Sequence, residues 1–147
     1  MTTRPTSTFT SLEHELYLTL QVLAPRLRDE TEHLLKPAGL TLTQFNILRI
    51  LRGAGPSSLT CGEISTQLIT KDSDVTRLLD RMESLGLVER ARSSQDRRVV
   101  LTRISDKALA LLATLDEPLA LLHTQQFAHL HPDRLHQLLD LLKEATP

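Results

Sequence analysis

Aromatic residues are scarce in this 147-residue chain, at 3%, and tryptophan is absent. Leucine must therefore do most of the core packing, and a leucine-rich chain with only five glycines favours helices. A single cysteine excludes an internal disulfide and fits a reducing compartment. A surplus of charge is missing too. The formal net charge is −1, so overall charge gives no support for nucleic-acid binding and any basic surface must be local. Lysine occurs only at Lys36, Lys71, Lys107 and Lys143, which leaves arginine as the dominant cation, the better residue for bidentate contacts to phosphate or guanine. No apolar run approaches the length of a membrane span, and the first ten residues, MTTRPTSTFT, are too polar for a signal peptide. A cytoplasmic location with no membrane partner is the expectation.

Catalytic constellations are equally lacking. The sequence holds no phosphate-cradling glycine loop, no nucleophile elbow and no convincing acid pair; Glu30 and Glu32 lie close in sequence but on different helix faces. The histidines are His14, His33, His123, His129, His131 and His136, and they form no His-x-x-x-His pair on one helix face. Cys-x-x-Cys is absent as well. Cys61, near a helix N-terminus where a thiol pKa can fall, reads by default as a small packed residue. No enzyme activity, cofactor or metal site is expected.

What is present is helical patterning. With 40% hydrophobic and 24% charged residues the chain reads as one globular domain over 11–147, preceded by a flexible arm at 1–10. Leu12, Leu16, Leu20, Leu23, Leu27 and Leu34 form a seam that suits either a core or half of a dimer interface. Pro25 is expected to bend that helix, which should stop near Lys36 before Pro37 and Gly39. Thr41 and Gln44 have capping-box spacing, followed by Phe45, Ile47, Leu48 and Leu51 on a buried face. Thr60 and Glu63 repeat that spacing before a two-turn helix with Ile64 and Leu68 inward.

The chain is organised around Asp72 to Gly86, DSDVTRLLDRMESLG. Val75, Leu78, Leu79, Met82 and Leu85 share one helical face, and Ser73, Thr76, Arg77, Asp80 and Ser84 share the opposite one. A greasy back docks on a core, while a polar front of this mixed character suits the base edges of a DNA major groove. Two helices joined by the tight connection Ile69 to Lys71 make a helix-turn-helix, with the second helix as reader. After Gly86 the period changes: LVERA reads as a strand, SSQD as a turn, and RRVVLTRI as a second strand with Val100, Thr102 and Ile104 on one face. This hairpin carries Arg90, Arg92, Arg97, Arg98 and Arg103 against Glu89 and Asp96, the most basic patch of the chain. Ser105 then caps a helix striped by Ala108, Leu111, Leu112, Leu115, Leu119 and Leu122, which Pro118 is expected to bend or divide. A last helix follows Pro132, with Leu135, Leu138, Leu139 and Leu142 inward.

The segments LKPAGLTLTQFNILRIL, DVTRLLDRMESLGLVER and QDRRVVLTRISDKA, in this order and spacing, resemble the multiple-antibiotic-resistance regulator (MarR) family of winged-helix transcription factors. The likeness is good from about Leu34 to Leu112 and looser at both ends. It implies a mainly α fold: a winged helix-turn-helix over 41–104, with a small β-hairpin wing, flanked by dimerisation helices at 11–36 and 105–147. It further implies a cytoplasmic homodimer that binds double-stranded DNA at a palindromic operator, represses transcription, and lets go when a small aromatic or phenolic effector binds. Two-fold symmetry matches such a site, with reading helices about one DNA turn, ~34 Å, apart. The expected DNA contacts are Lys71 in the connection, Ser73, Asp74, Thr76 and Arg77 on the reading helix, and Arg98, Arg97 and Arg92 on the wing. By the same resemblance Asp96 orients the wing arginines through a salt bridge. The alternative from another class is a winged-helix module that binds protein and not DNA, for which the near-neutral charge leaves room.

Overall fold

The computed structural model of the chain describes residues 10–69 and 74–147. Their elements, in order, are α1 (Leu12–Leu35), a 3₁₀ turn (Lys36–Ala38), α2 (Leu42–Gly53), β1 (Leu59–Thr60), α3 (Cys61–Gln67), α4 (Val75–Ser84), β2 (Val88–Arg92), β3 (Val100–Ile104), α5 (Asp106–Gln126) and α6 (Pro132–Glu144). This is a mainly helical winged helix-turn-helix. The expected arm, Lys71, Ser73 and the start proposed for the reading helix at Asp72 lie outside the described residues, apart from Thr10.

Local chemistry sets most helix ends. Ser11 caps α1 by accepting from the His14 N–H. Gly39, at φ 74°, makes the left-handed turn that closes the 3₁₀ segment, a conformation that strains any side chain. Both capping boxes form. Thr41 Oγ1 accepts from Gln44 N at 3.2 Å and Gln44 Oε1 from Thr41 N at 3.1 Å. The Thr60 and Glu63 pair does the same for α3, at 3.2 and 2.8 Å. Each box satisfies two backbone donors that a helix start leaves open.

Leu35, Leu40, Phe45, Ile47, Leu48, Leu51, Ile64, Leu79, Met82, Val88 and Leu112 form one contiguous core. Val75, Leu79 and Met82 bury the back of α4 in it, and Leu78 is half-buried. Leu85 departs from the expected five: it is exposed, because the helix is already closing there and Gly86, at φ 74°, turns the chain away. The turn is sealed by Gly86 N–H to Glu83 O at 2.9 Å and Leu87 N–H to Met82 O at 2.9 Å.

The sheet is antiparallel in the order β1-β3-β2. The wing pairs Val88 with Ile104 and Arg92 with Val100, and its loop is longer than the four-residue turn expected. Ser93 N–H reaches Val99 O at 2.8 Å and Val99 N–H reaches Asp96 O at 3.0 Å, which holds Arg97 and Arg98 in the loop rather than in the strand. β1, which local sequence did not announce, pairs Leu59 with Thr102 and Thr60 with Leu101, so the β1 residue Thr60 also caps α3.

Two expectations about the end helices need correction. α1 and α5 run through Pro25 and Pro118, so Pro118 does not divide its helix. Both prolines lie on exposed positions, where the carbonyl four residues back that loses its bond can be hydrated. The leucines expected inward on α6 are not: Leu135, Leu139 and Leu142 are exposed and Leu138 is only half-buried. The front half of α1 behaves alike, with Leu12 77% and Leu16 54% exposed. Periodicity names an apolar face but not what covers it, and in a single chain nothing covers these.

Cross-links tie the long helices to the rest. Arg52 Nη1 meets both Asp116 oxygens, at 3.0 and 2.9 Å, joining α2 to α5. Gln126 Nε2 donates to Leu27 O at 3.3 Å and Glu30 Oε2 at 2.9 Å, fixing the end of α5 on α1. At its other end α5 is anchored to the close of α4. Ser105 Oγ donates to Gly86 O at 2.6 Å, Ser105 N–H to Leu87 O at 3.0 Å, and Lys107 Nζ to Leu85 O at 2.9 Å.

Candidate nucleic-acid interface

α4 turns Thr76, Arg77, Asp80, Arg81 and Ser84 to solvent. Arg77 is 84% exposed at the side chain, with its Nε 3.6 Å from Asp74 Oδ2, a loose pair that water competes with. Thr76 Oγ1 lies 3.5 Å from Cys61 Sγ, which stitches the start of α4 to the start of α3 and half-covers the thiol. A cleft of about 400 Å³ between α3, α4 and the wing is lined in part by Thr76, Arg98, Val99 and Thr102. The structure thus brings one expected residue of the reading helix and the foremost expected residue of the wing to the same opening.

Between Asp74 and Ile104 the chain carries seven arginines against five carboxylates, and pairing decides which cations stay available. Arg98 reaches out at 91% side-chain exposure while both oxygens of Asp96 hold it, at 3.1 Å from Nε and 3.2 Å from Nη2. Asp96 Oδ1 also accepts the Arg98 backbone N–H at 3.0 Å. Bonds from the Arg98 side chain, then from its backbone, keep the Asp96 carboxyl below its ordinary pKa. Arg92 Nη1 donates to Arg97 O at 2.8 Å, bracing the loop while keeping its charge. Arg97 has no carboxylate partner among the described residues. Arg103 is matched by Glu89, at 2.7 Å from Nε.

Arg90 is the exception among the wing cations, and reading the sequence did not single it out. Its side chain is only 19% exposed, and it points back to α4, where Asp80 and Glu83 receive it. The bond from Arg90 is the main reason the Glu83 carboxyl sits below its ordinary pKa, and the bond to Glu83 is the main reason the Arg90 pKa is raised. The signal available in the sequence was the i, i+3 spacing of two acids followed by an arginine just past the Gly86 turn. Asp80, one of the residues on the polar front, is thus taken up by a structural pair; Arg81 makes no ion pair among the described residues.

Among the described residues no helix is long and apolar enough to cross a membrane, and no three His, Cys, Asp or Glu groups are placed to hold a metal ion.

Comparison with known proteins agrees with this architecture. The profile of the MarR family matches residues 40–100, the span from the start of α2 to the start of β3. The HTH-type transcriptional repressor IacR of Pseudomonas putida is 33% identical over 120 residues, 80% of this chain and 71% of that protein. A crystal structure of a MarR transcription factor from Planctomyces limnophilus is 36% identical, with TM-score 0.72, covering 92% of this chain and 98% of that one. A mutant MarR from E. coli complexed with operator DNA is 26% identical, with TM-score 0.80 over 94% of this chain and 100% of that one. These matches, over a winged helix-turn-helix whose polar reading face stands open, establish that the chain belongs to the MarR family.

Proposed function

We propose that this member of a family of DNA-binding transcriptional regulators is a cytoplasmic repressor that grips a palindromic operator as a homodimer and releases it on binding a small aromatic or phenolic effector. The observation that carries the reading is the exposed polar front of α4 with an arginine-tipped wing beside it. Thr76 and Arg77 would meet base edges in a major groove, with Asp74 beside them, and Ser73 and Lys71, which precede them in the sequence, are proposed as further contacts. Asp74 would have to accept from a cytosine amino group or stand back from phosphate. Arg98, Arg97 and Arg92 would serve the adjacent backbone or minor groove, with Asp96 aiming Arg98.

The homodimer is supported by the apolar faces that the single chain leaves open on α1 and α6, through Leu12, Leu16, Leu20, Leu135, Leu139 and Leu142. A twin copy covering them would set two reading helices for a two-fold site. The effector is supported by the family resemblance. The protein-module alternative is the weaker reading, since the family and the named relatives are transcriptional regulators.

The test is selection of bound duplexes from random oligonucleotides at low salt, followed by release with simple hydroxybenzoates. An enriched palindrome bound by a dimer is the expected result. No enrichment at any salt would sink the operator, and a bound operator indifferent to every aromatic acid or phenol tried would sink the effector.

A further inference from the structure

The geometry points to Arg90 as a positioning residue for sequence recognition: it fixes the roll of α4 against the wing and does not itself contact DNA. This inference rests on the DNA-binding reading and goes beyond it by separating one wing arginine from the others. Arg90 sits in β2, and its guanidinium spans two carboxylates on neighbouring turns of α4. Nη2 donates to Asp80 Oδ1 at 2.5 Å and to Glu83 Oε1 at 3.2 Å, while Nε donates to Glu83 Oε2 at 3.3 Å. The Glu83 contact is therefore a two-pronged fork, which carries direction as well as attraction.

The apolar back of α4 cannot supply that direction. Val75, Leu79 and Met82 hold the helix down by burial, which is non-directional and tolerates small rotations about the axis. A roll of about 20° would carry a side-chain tip some 5–6 Å from the axis through about 2 Å. That is enough to spoil a hydrogen bond to a base edge, whose useful range spans about half an ångström. Phosphate contacts on a charged surface are more forgiving. Arg90 also cancels charge where it matters: released, Asp80 and Glu83 would present two unbalanced carboxylates on the helix that enters the groove. With two acids around one cation, the cluster carries no spare positive charge to offer a phosphate.

The experiment compares the operator selected by the unmodified chain with a shuffled duplex of equal length, across a range of salt concentrations. Arg90→Lys keeps the charge and loses the fork. It is expected to lower operator affinity about tenfold while leaving shuffled-duplex affinity and the salt slope unchanged. D80N/E83Q removes both carboxylate charges, and with them the paired oxygens that accept the fork, without touching the wing. It is expected to raise binding to the shuffled duplex and cut the ratio of operator to shuffled affinity by a similar factor. Because D80N/E83Q leaves β2 intact, it keeps the test decisive if Arg90→Lys folds poorly. A salt slope reduced by about one unit in Arg90→Lys, with equal loss on both duplexes, would mark a phosphate contact and overturn the inference. So would an unchanged ratio in D80N/E83Q. If the unmodified chain selects no duplex, the DNA-binding reading fails first and this inference goes with it.

Discussion

The middle of the molecule and its two ends use leucine in opposite ways. In the reading unit, Leu79, Met82, Ile64 and Leu48 are nearly sealed from water, and the polar residues stand outside. On α1 and α6 the order is inverted, and Leu12, Leu16, Leu139 and Leu141 face water in a single chain. One region buries its apolar face by its own folding, and the other leaves its apolar face open to water. The difference teaches that apolar periodicity marks a surface to be buried without saying by which chain.

The contrast can be broken first at its strongest point. Leu79→Ala, at a site 1% exposed, should cost about 2–5 kcal/mol of folding stability, read from the denaturation midpoint, because a cavity opens beneath the reading helix. Leu16→Glu combined with Leu139→Glu should leave helical content intact and yield monomers in sedimentation, since two carboxylates are placed on a face proposed to meet its twin. Smaller in effect, Arg98→Ala should weaken operator binding about tenfold and flatten the salt dependence by about one unit of slope, measured by gel-shift titration. The smallest effect concerns pH. Glu83 and Asp96 titrate below their ordinary values when folded, so their contribution is complete above the unfolded range near pH 4 and fades as pH falls through the lower folded values. Both groups are open to solvent, so the acid-side drop in the urea midpoint should be modest, and it should shrink in Glu83→Gln.

What was legible beforehand was what is decided within a few residues. The Thr41 and Thr60 capping boxes, the Ser105 cap, the Gly86 stop and the buried stripe of α4 all rest on spacings of three or four, which the backbone enforces locally. β1 escaped because two residues have no period, and their strand exists only through β3, some forty positions later. The wing loop was set too short because its closure depends on Ser93 reaching Val99 rather than on a turn dipeptide. Of the five wing arginines, Arg98, Arg97 and Arg92 were put forward from the sequence, whereas the places of Arg90 and Arg103 came only with tertiary contact: Arg90 turns inward to α4 and Arg103 pairs with Glu89. That sorting needs α4 and β2 side by side, which no local pattern states.

The hydroxyl of Ser105 and the ammonium of Lys107 clasp the carbonyls that end the reading helix, at the very start of α5. α5 is 21 residues long, a rod of about 30 Å whose far end Gln126 ties to α1. Such a rod, held at both tips, links the reading lobe to α1: a tilt of about 5° at one tip would correspond to nearly 3 Å of travel at the other. Displacing one end would carry α4 and the wing with the other, and the proposed effector would have to act through this one helix.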